Sequence, residues 1–409
     1  MYTQKDVSVI LPYTREDGAK KCIKELEALY PEVEIISEYD PDRVGVANMI
    51  AKLTAKTTRQ LVCFMADDTF PLPGFLEEAL RAMETLPDGW GLVGLKTSDS
   101  EVARAGHWLA HKNLLPLLDG EFHHTGYRHC YGSDEFTDRA LEMGRYVKAW
   151  DAKILHDNPV IYGGDFSHDK LLVDVYGEGG SRDEDRKLYY KRKRNRLNRF
   201  AIAAPLVSEM VHAQFWMSFA CMDKPSEYLL LVPEFPHGPW STNIADARNS
   251  LIRQALQHGV SKLLMVDTDQ TYPSDTITKL LSHDVDVCGV RVHSRWEPYS
   301  PIFYRGTIGA YKFISNEEMY SGDLIEIDAT GTGCLMINME IFDELEYPWF
   351  QFTMVRDRPV GEDIYFCHKA KEAGFKIFVD SSIGVGHLAT IEIDETLHKL
   401  YKKIHGEKK

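Results

Sequence analysis

The chain has 409 residues, 44% apolar and 27% charged, an ordinary balance for a globular protein of two or three domains. No run of eighteen apolar residues occurs, so no membrane span is expected, and the short charged start from Met1 to Leu11 reads as a tail entering a strand, not a signal peptide. A net charge of −15 disfavours long-range attraction to nucleic acid or anionic membrane, and seven cysteines without paired or zinc-type spacing fit reduced thiols in a cytoplasmic protein.

In chain order, the first unit (1–178) opens with an apolar strand over 7–11 stopped by Pro12. Helix formers over 15–29 follow, then a strand at 33–37 and a helix near 45–56, preceded by Asp42-Arg43. The strand at 61–65 ends in Ala66-Asp67-Asp68, and Pro71 to Gly74 turns into a helix over 75–85. Strands alternating with helices at this spacing predict βαβ units and a mainly parallel sheet. A loop rich in aromatic residues and histidine, Phe122 to His129, precedes Tyr131-Gly132-Ser133-Asp134-Glu135-Phe136, a helix ending at Gly144, and His156.

Residues 179–226 read as a charged helical connector. A glycine-rich boundary lies at 177–181, and eight basic residues fall within the fourteen positions Arg186–Arg199. The more apolar stretch 200–222 is expected to pack as a helix.

The second unit (227–409) repeats the plan: a strand at 228–232, a helix over 243–258 capped by Thr242 or Asn243 and containing Arg248, and an apolar strand at 262–266. That strand ends in Asp267-Thr268-Asp269. Tyr272-Pro273 turns into a helix over 275–282, and a strand comes next at 285–290. The repetition is one of element order and not of close identity.

Parallel sheets bind ligands beyond the carboxyl ends of their strands, where Asp267 and Asp269 sit. Two carboxylates one residue apart share a face of an extended chain and suit a hard divalent cation such as Mg²⁺ or Mn²⁺ bridging to a diphosphate. Two acidic residues also occur in solvated loops, so the tripeptide gains weight from the residues downstream of it. The glycine-rich Asp328–Cys334, Pro348-Trp349-Phe350, Glu362-Asp363 at a helix start and His387 come next in order. Glu-Asp there equally suits helix capping, and a lone His is often structural.

This order of features resembles the GT-A glycosyltransferases, family 2 in particular with its phage and bacterial relatives, over roughly 227–390. The resemblance implies two tandem Rossmann-like GT-A domains and a nucleotide-sugar donor, UDP-linked first of all. It assigns Asp267 and Asp269 to metal and nucleotide, Asp363 to the catalytic base, His387 to the metal, and inversion at the sugar. The first unit resembles the same family over about 5–160, with Asp67 and Asp68 in the donor site, Asp68 and His156 on metal and Asp134 as base. Asp134 to His156 spans 22 residues, against 24 from Asp363 to His387. Adjacent aspartates point to opposite faces of a strand, which weakens the first metal site. Arg248 and Arg43 contact uracil or phosphate, or instead form solvated salt bridges. The acceptor is open, with a glycan or a modified nucleic acid compatible. Three alternatives stand: one unit, the first before the second, is a non-catalytic binding module; the basic stretch contacts DNA; or the protein is a nucleotidyltransferase, which Leu11–Arg15 fits poorly.

Overall fold

The computed structural model describes residues 1–98, 101–157, 174–175, 180–207, 210–234, 243–390 and 393–405. The chain divides into two compact units, Met1–Arg192 and Lys193–Lys409. The division falls inside a helix, Ser181–Leu197, in the stretch read from the sequence as a connector.

The first unit runs β1 (Val7–Tyr13), α1 (Glu16–Leu29), β2 (Glu34–Tyr39), α2 (Val46–Thr54), β3 (Leu61–Phe64), β4 (Thr69–Pro71), α3 (Phe75–Glu84), β5 (Leu92–Thr97), β6 (Trp108–His111), α4 (Gly132–Glu142) and β7 (Tyr146–His156). The central strands are apolar on both sides because both faces of the sheet are covered. Val9, Cys63 and Leu109 pack under Cys22 and Leu26 of α1 and Leu76 and Ala79 of α3. Ile10, Val62 and Trp108 pack on the other face against Ile50 of α2 and Phe136 of α4. Each such side chain removed from water stabilises the unit by about 1.5–3 kcal/mol.

The helix Ser181–Leu197 is α5. The second unit then runs β8 (Arg199–Ala203), α6 (Ala213–Ala220), β9 (Leu229–Leu231), α7 (Ile244–Gln257), β10 (Val260–Val266), β11 (Gln270–Thr271), α8 (Thr276–Ser282), β12 (Val287–Val292), β13 (Leu324–Ile327), β14 (Cys334–Asn338), α9 (Glu362–Glu372) and β15 (Ile377–His387). Short antiparallel strands at 303–305, 312–313 and 329–330 form a small separate sheet. The helix expected over 200–222 is only partly present. Residues 199–203 form an inner strand, because Ala201 and Ala203 face one core and Ile202 the other. A short apolar run buried on both faces carries no periodicity that separates strand from helix.

The sheets have the same design. The first has the order β2-β1-β3-β6-β5-β7-β4, and the second β9-β8-β10-β14-β12-β15-β11, with β13 added beside β15. Pairing sense matches at every step: β1 runs parallel to β2 and β3, as β8 does to β9 and β10. The strands β6 and β14 are inserted antiparallel between parallel neighbours. In each unit the last long strand returns parallel to its neighbour and closes on a short antiparallel strand. Among the described residues no helix is long and apolar enough to cross a membrane.

Candidate functional site

In the second unit the chain leaves the sheet at Val266 and is pinned at once. The Asp267 amide donates to the Gly333 carbonyl (2.8 Å), and the Tyr272 hydroxyl donates to the Asp267 carbonyl (2.7 Å). The strand β11 places Gln270 opposite His387, which brings Asp269 Oδ2 to 3.5 Å from His387 Nε2 and 2.9 Å from Arg295 Nη1. His387 Nδ1 lies 2.8 Å from the His293 carbonyl. A carbonyl only accepts, so Nδ1 carries the proton and neutral His387 turns a lone pair on Nε2 toward Asp269. Burial works against an imidazolium at His387 but is outweighed by Asp269 and the His293 carbonyl, which hold its pKa above the usual histidine value. Burial likewise works to raise the Asp269 pKa, and His387 and Arg295 reverse it, leaving the carboxyl below the ordinary range.

Behind this edge lies a charge triad, buried at Arg248 and Glu362 and partly exposed at Asp267. Arg248, on α7 whose N-terminus is capped by Asn243, is 4% exposed. It donates to both oxygens of Asp267 (2.9 and 3.3 Å) and to Glu362. One cation between two carboxylates tolerates burial where a lone guanidinium does not. Beside Glu362, the Asp363 carboxyl is pushed up to about 6 by burial and by the neighbouring Glu362 charge, against the pull of Arg248. The glycine-rich turn makes room at Gly333, where a Cβ would lie only 1.9 Å from Gln270 Nε2.

Arg248, Asp267, Asp269, Asp363 and His387 all line one cleft of about 350 Å³. Arg248 Nε, Gln270 Oε1 and Thr332 Oγ1 are buried there without a hydrogen-bond partner among the described residues. Unpartnered buried polar atoms in a cleft mark where a ligand or water completes the bonding.

The first unit has a cleft of about 300 Å³ at the same end of its sheet. The two aspartates, in the turn between β3 and β4, diverge. Asp67 turns toward α1, where its Oδ2 accepts from the amides of Thr14 (2.8 Å) and Arg15 (2.7 Å). Asp68 faces the cleft, with Oδ1 3.6 Å from His156 Nε2 and Oδ2 3.0 Å from Arg15 Nη2. His107 joins them: Asp68, His107 and His156 each offer a ligand atom within 4.8 Å of the others. Burial works to raise the Asp68 pKa, but His156, Arg15 and His107 hold the carboxyl below its usual range. Among the described residues this is the one group of three such side chains drawn so close; Asp267, Asp269 and His387 are not. Sequence reasoning favours the reverse order for the two metal sites. It misses His107 because an antiparallel strand inserted some forty residues downstream delivers it. It misses Arg15, which reaches both aspartates, because the residue lies at the strand-to-helix turn.

The strand registers align the two sites. Thr69 faces His156 as Gln270 faces His387, so Asp68 corresponds to Asp269 and Ala66 to Asp267. Phe64 faces Trp108 as Met265 faces Leu335, so His107 corresponds to Cys334. The fifth residue of α2 is Ile50 and that of α7 is Arg248. Both α4 and α9 have eleven residues, so Gly132-Ser133 stands where Glu362-Asp363 does, and Asp134 matches Ile364. Asp134 therefore does not occupy the position of Asp363. It is absent from the residues lining the cleft and lies beside Arg104 on the outer side of α4. The similar spacings of 22 and 24 mislead because one residue of the difference falls before the glycine ending each helix and one after it. Arg43 is likewise absent from the cleft lining and pairs with Asp174 at 3.3 Å.

Several cations of the basic stretch are engaged internally. Arg192 forks onto Glu135 (2.8 and 3.0 Å), and buried Arg194 onto Asp343 (3.1 and 2.6 Å). The acidic Asp185 beside them accepts from the amides of Arg128, His129 and Cys130.

No known protein family matches the chain, and no curated protein does. Solved structures similar to it include A197 from STIV, at 17% identity over 47% of this chain and 86% of that one, TM-score 0.33. Another is a mannosyltransferase from Pyrobaculum calidifontis in complex with GDP-Man and Mn²⁺, at 12% identity over 46% of this chain and 63% of that one, TM-score 0.35. A third is glucosyl-3-phosphoglycerate synthase from Mycobacterium tuberculosis in complex with Mn²⁺, UDP and phosphoglyceric acid, at 16% identity over 40% and 75%, TM-score 0.30.

Proposed function

We propose that the protein is a metal-dependent glycosyltransferase of tandem GT-A type, and that the second unit carries out the transfer from a nucleoside-diphosphate sugar, UDP-linked first of all. The observation that carries this reading is the cleft holding Asp267, Asp269, Asp363 and His387 together over the Arg248–Asp267–Glu362 triad. Asp363 takes the proton of the acceptor hydroxyl as its oxygen bonds to the anomeric carbon and the bond from that carbon to the diphosphate breaks. A carboxyl pushed up to about 6 suits a base working near neutrality. One base on the acceptor side fits inversion. Arg248 fixes the side chain of Asp267, and its unpartnered Nε in the cleft lining is compatible with a further bond to the nucleotide.

The donor types suit Mn²⁺ or Mg²⁺: the Asp269 carboxylate stands 3.5 Å from His387 Nε2 and shares Oδ2 with Arg295, and Asp267 lines the same cleft. Asp269 and His387 would hold such an ion, which would supply charge neutralisation at the leaving diphosphate. The first unit lacks every member of the triad and the base, carrying Ile50, Ala66, Gly132 and Ser133 instead, which favours a binding role for it. The internal pairs of the basic stretch favour a structural role there over contact with nucleic acid. Seven thiols without a disulfide suit a reducing, cytoplasmic compartment.

The test is release of nucleoside diphosphate from a panel of nucleotide-sugars, with and without Mn²⁺, by wild type and by D269A, D363N and D68N. Turnover lost in the first two and kept in D68N supports the reading. Turnover unchanged in D269A and D363N overturns it.

A further inference from the structure

We propose that the first unit is a binding site for a late first-row transition-metal ion, zinc above all, held by Asp68, His107 and His156, and that His107 gives it a metal preference different from that of the second unit.

The three side chains are each under 10% exposed at the base of a cleft. Their ligand atoms lie within 4.8 Å of one another, and the Asp68–His156 pair is already at 3.6 Å. Ligands about 2.0–2.1 Å from a zinc ion stand roughly 3–3.5 Å apart, so the set closes on an ion by side-chain shifts on the order of 1 Å. The backbone prepares the positions. His156 is held by its register opposite Thr69. The His107 ring stacks on Phe64 at 5.6 Å and 6° and meets His156 edge-on at 5.0 Å. Arg15 holds Oδ2 of Asp68, leaving Oδ1 on the side of His156. The guanidinium opposes a cation, but Asp67 shares it at 3.1 Å, so the two aspartates and Arg15 together carry one net negative charge.

The chemistry of selection rests on one exchange. The position of His107 is held in the second unit by Cys334, which is packed in the apolar core and absent from the cleft lining. The second cleft therefore offers carboxylates and one imidazole, a set suited to Mn²⁺ or Mg²⁺. Two imidazoles and one carboxylate instead suit zinc, iron, nickel or copper, whose affinity for nitrogen exceeds that of manganese. Three protein ligands at the floor of a cleft leave a coordination position for water or a ligand oxygen.

The full chain is stripped of metal, incubated with equal Zn²⁺ and Mn²⁺, dialysed and analysed by elemental mass spectrometry. H107F keeps the stacked ring without its nitrogens, and D68N keeps the shape without the charge; both are compared with D269A, and each fold is checked by circular dichroism. About one zinc per chain is expected to survive dialysis in wild type and D269A, with zinc affinity at least tenfold weaker in H107F and D68N. Co²⁺ in place of zinc is expected to give visible d–d bands that H107F loses. Zinc retained by both H107F and D68N, or lost in D269A instead, overturns the proposal. Metal content is read without turnover, so failure here leaves the transfer reading standing, and failure of transfer leaves this one.

Discussion

The two clefts sit at the same place on sheets of the same order, and they differ where charge is buried. In the second, one guanidinium ties two carboxylates and a third acid stands beside them. In the first, four corresponding positions are apolar or neutral, and the polar groups of the cleft include Asp68, two histidines and Arg15. A fold can thus keep its frame while exchanging an entire electrostatic group, because the members depend on one another more than on the strands that carry them. Breaking a buried ion group at one point costs more than replacing it whole.

The largest expected effect is at Asp363. D363N is expected to lower turnover by about 10²–10⁴-fold, the range for loss of a general base, while the protein becomes more stable near neutral pH. The sign comes from the carboxyl, at 3.8 unfolded and about 6 folded. Its contribution to stability is full below 3.8 and lost as pH rises through 6, so removing the charge recovers on the order of 1–3 kcal/mol. Nucleotide release and thermal melts at pH 7.5 check both halves, and S133D, at the matching helix position of the first unit, is expected to confer no transfer.

Next comes the triad. R248I is expected to cost about 3 kcal/mol in chemical denaturation, because buried Glu362 is left unpaired beside the partly exposed Asp267. The triple exchange R248I/D267A/E362G, which copies the first unit, is expected to recover most of that loss while remaining inactive. A triple variant no more stable than R248I would break the comparison.

A smaller effect is the acid limb of kcat/KM. It is expected to rise through pH 6 as Asp363 ionises, and to disappear from the residual activity of D363N. The smallest effects are at Asp134 and Arg43, outside the clefts. D134N and R43A are expected to change stability by about 0.5 kcal/mol or less and leave nucleotide release unchanged.

Much of the frame is legible in the residues. The runs 7–11, 61–65 and 262–266 are apolar because both faces of each sheet are covered, and the carboxylates that end the last two mark the ligand edge. Asp363 and His387 are legible from their order after Asp269. The rest depends on long-range pairing. His107 enters through an inserted strand, and the role of Arg248 emerges only when α7 is laid against Asp267 and Glu362. Asp134 is misread because distance along the chain does not report a one-residue offset at a helix start. The strand at 199–203 is hidden because a run buried on two sides has no face to alternate.

The triad also bears on how such a site is gained or lost. Its members stand at positions 248, 267 and 362, so no single substitution carries the charged version into the neutral one. Losing Asp267 or Glu362 first leaves Arg248 paired with the other carboxylate, but the next step leaves a lone charge, as does the first step from the neutral side. Giving the first unit the charged set of the second requires coordinated change at positions 50, 66, 132 and 133, and a search that proceeds one mutation at a time is expected to stall before reaching it.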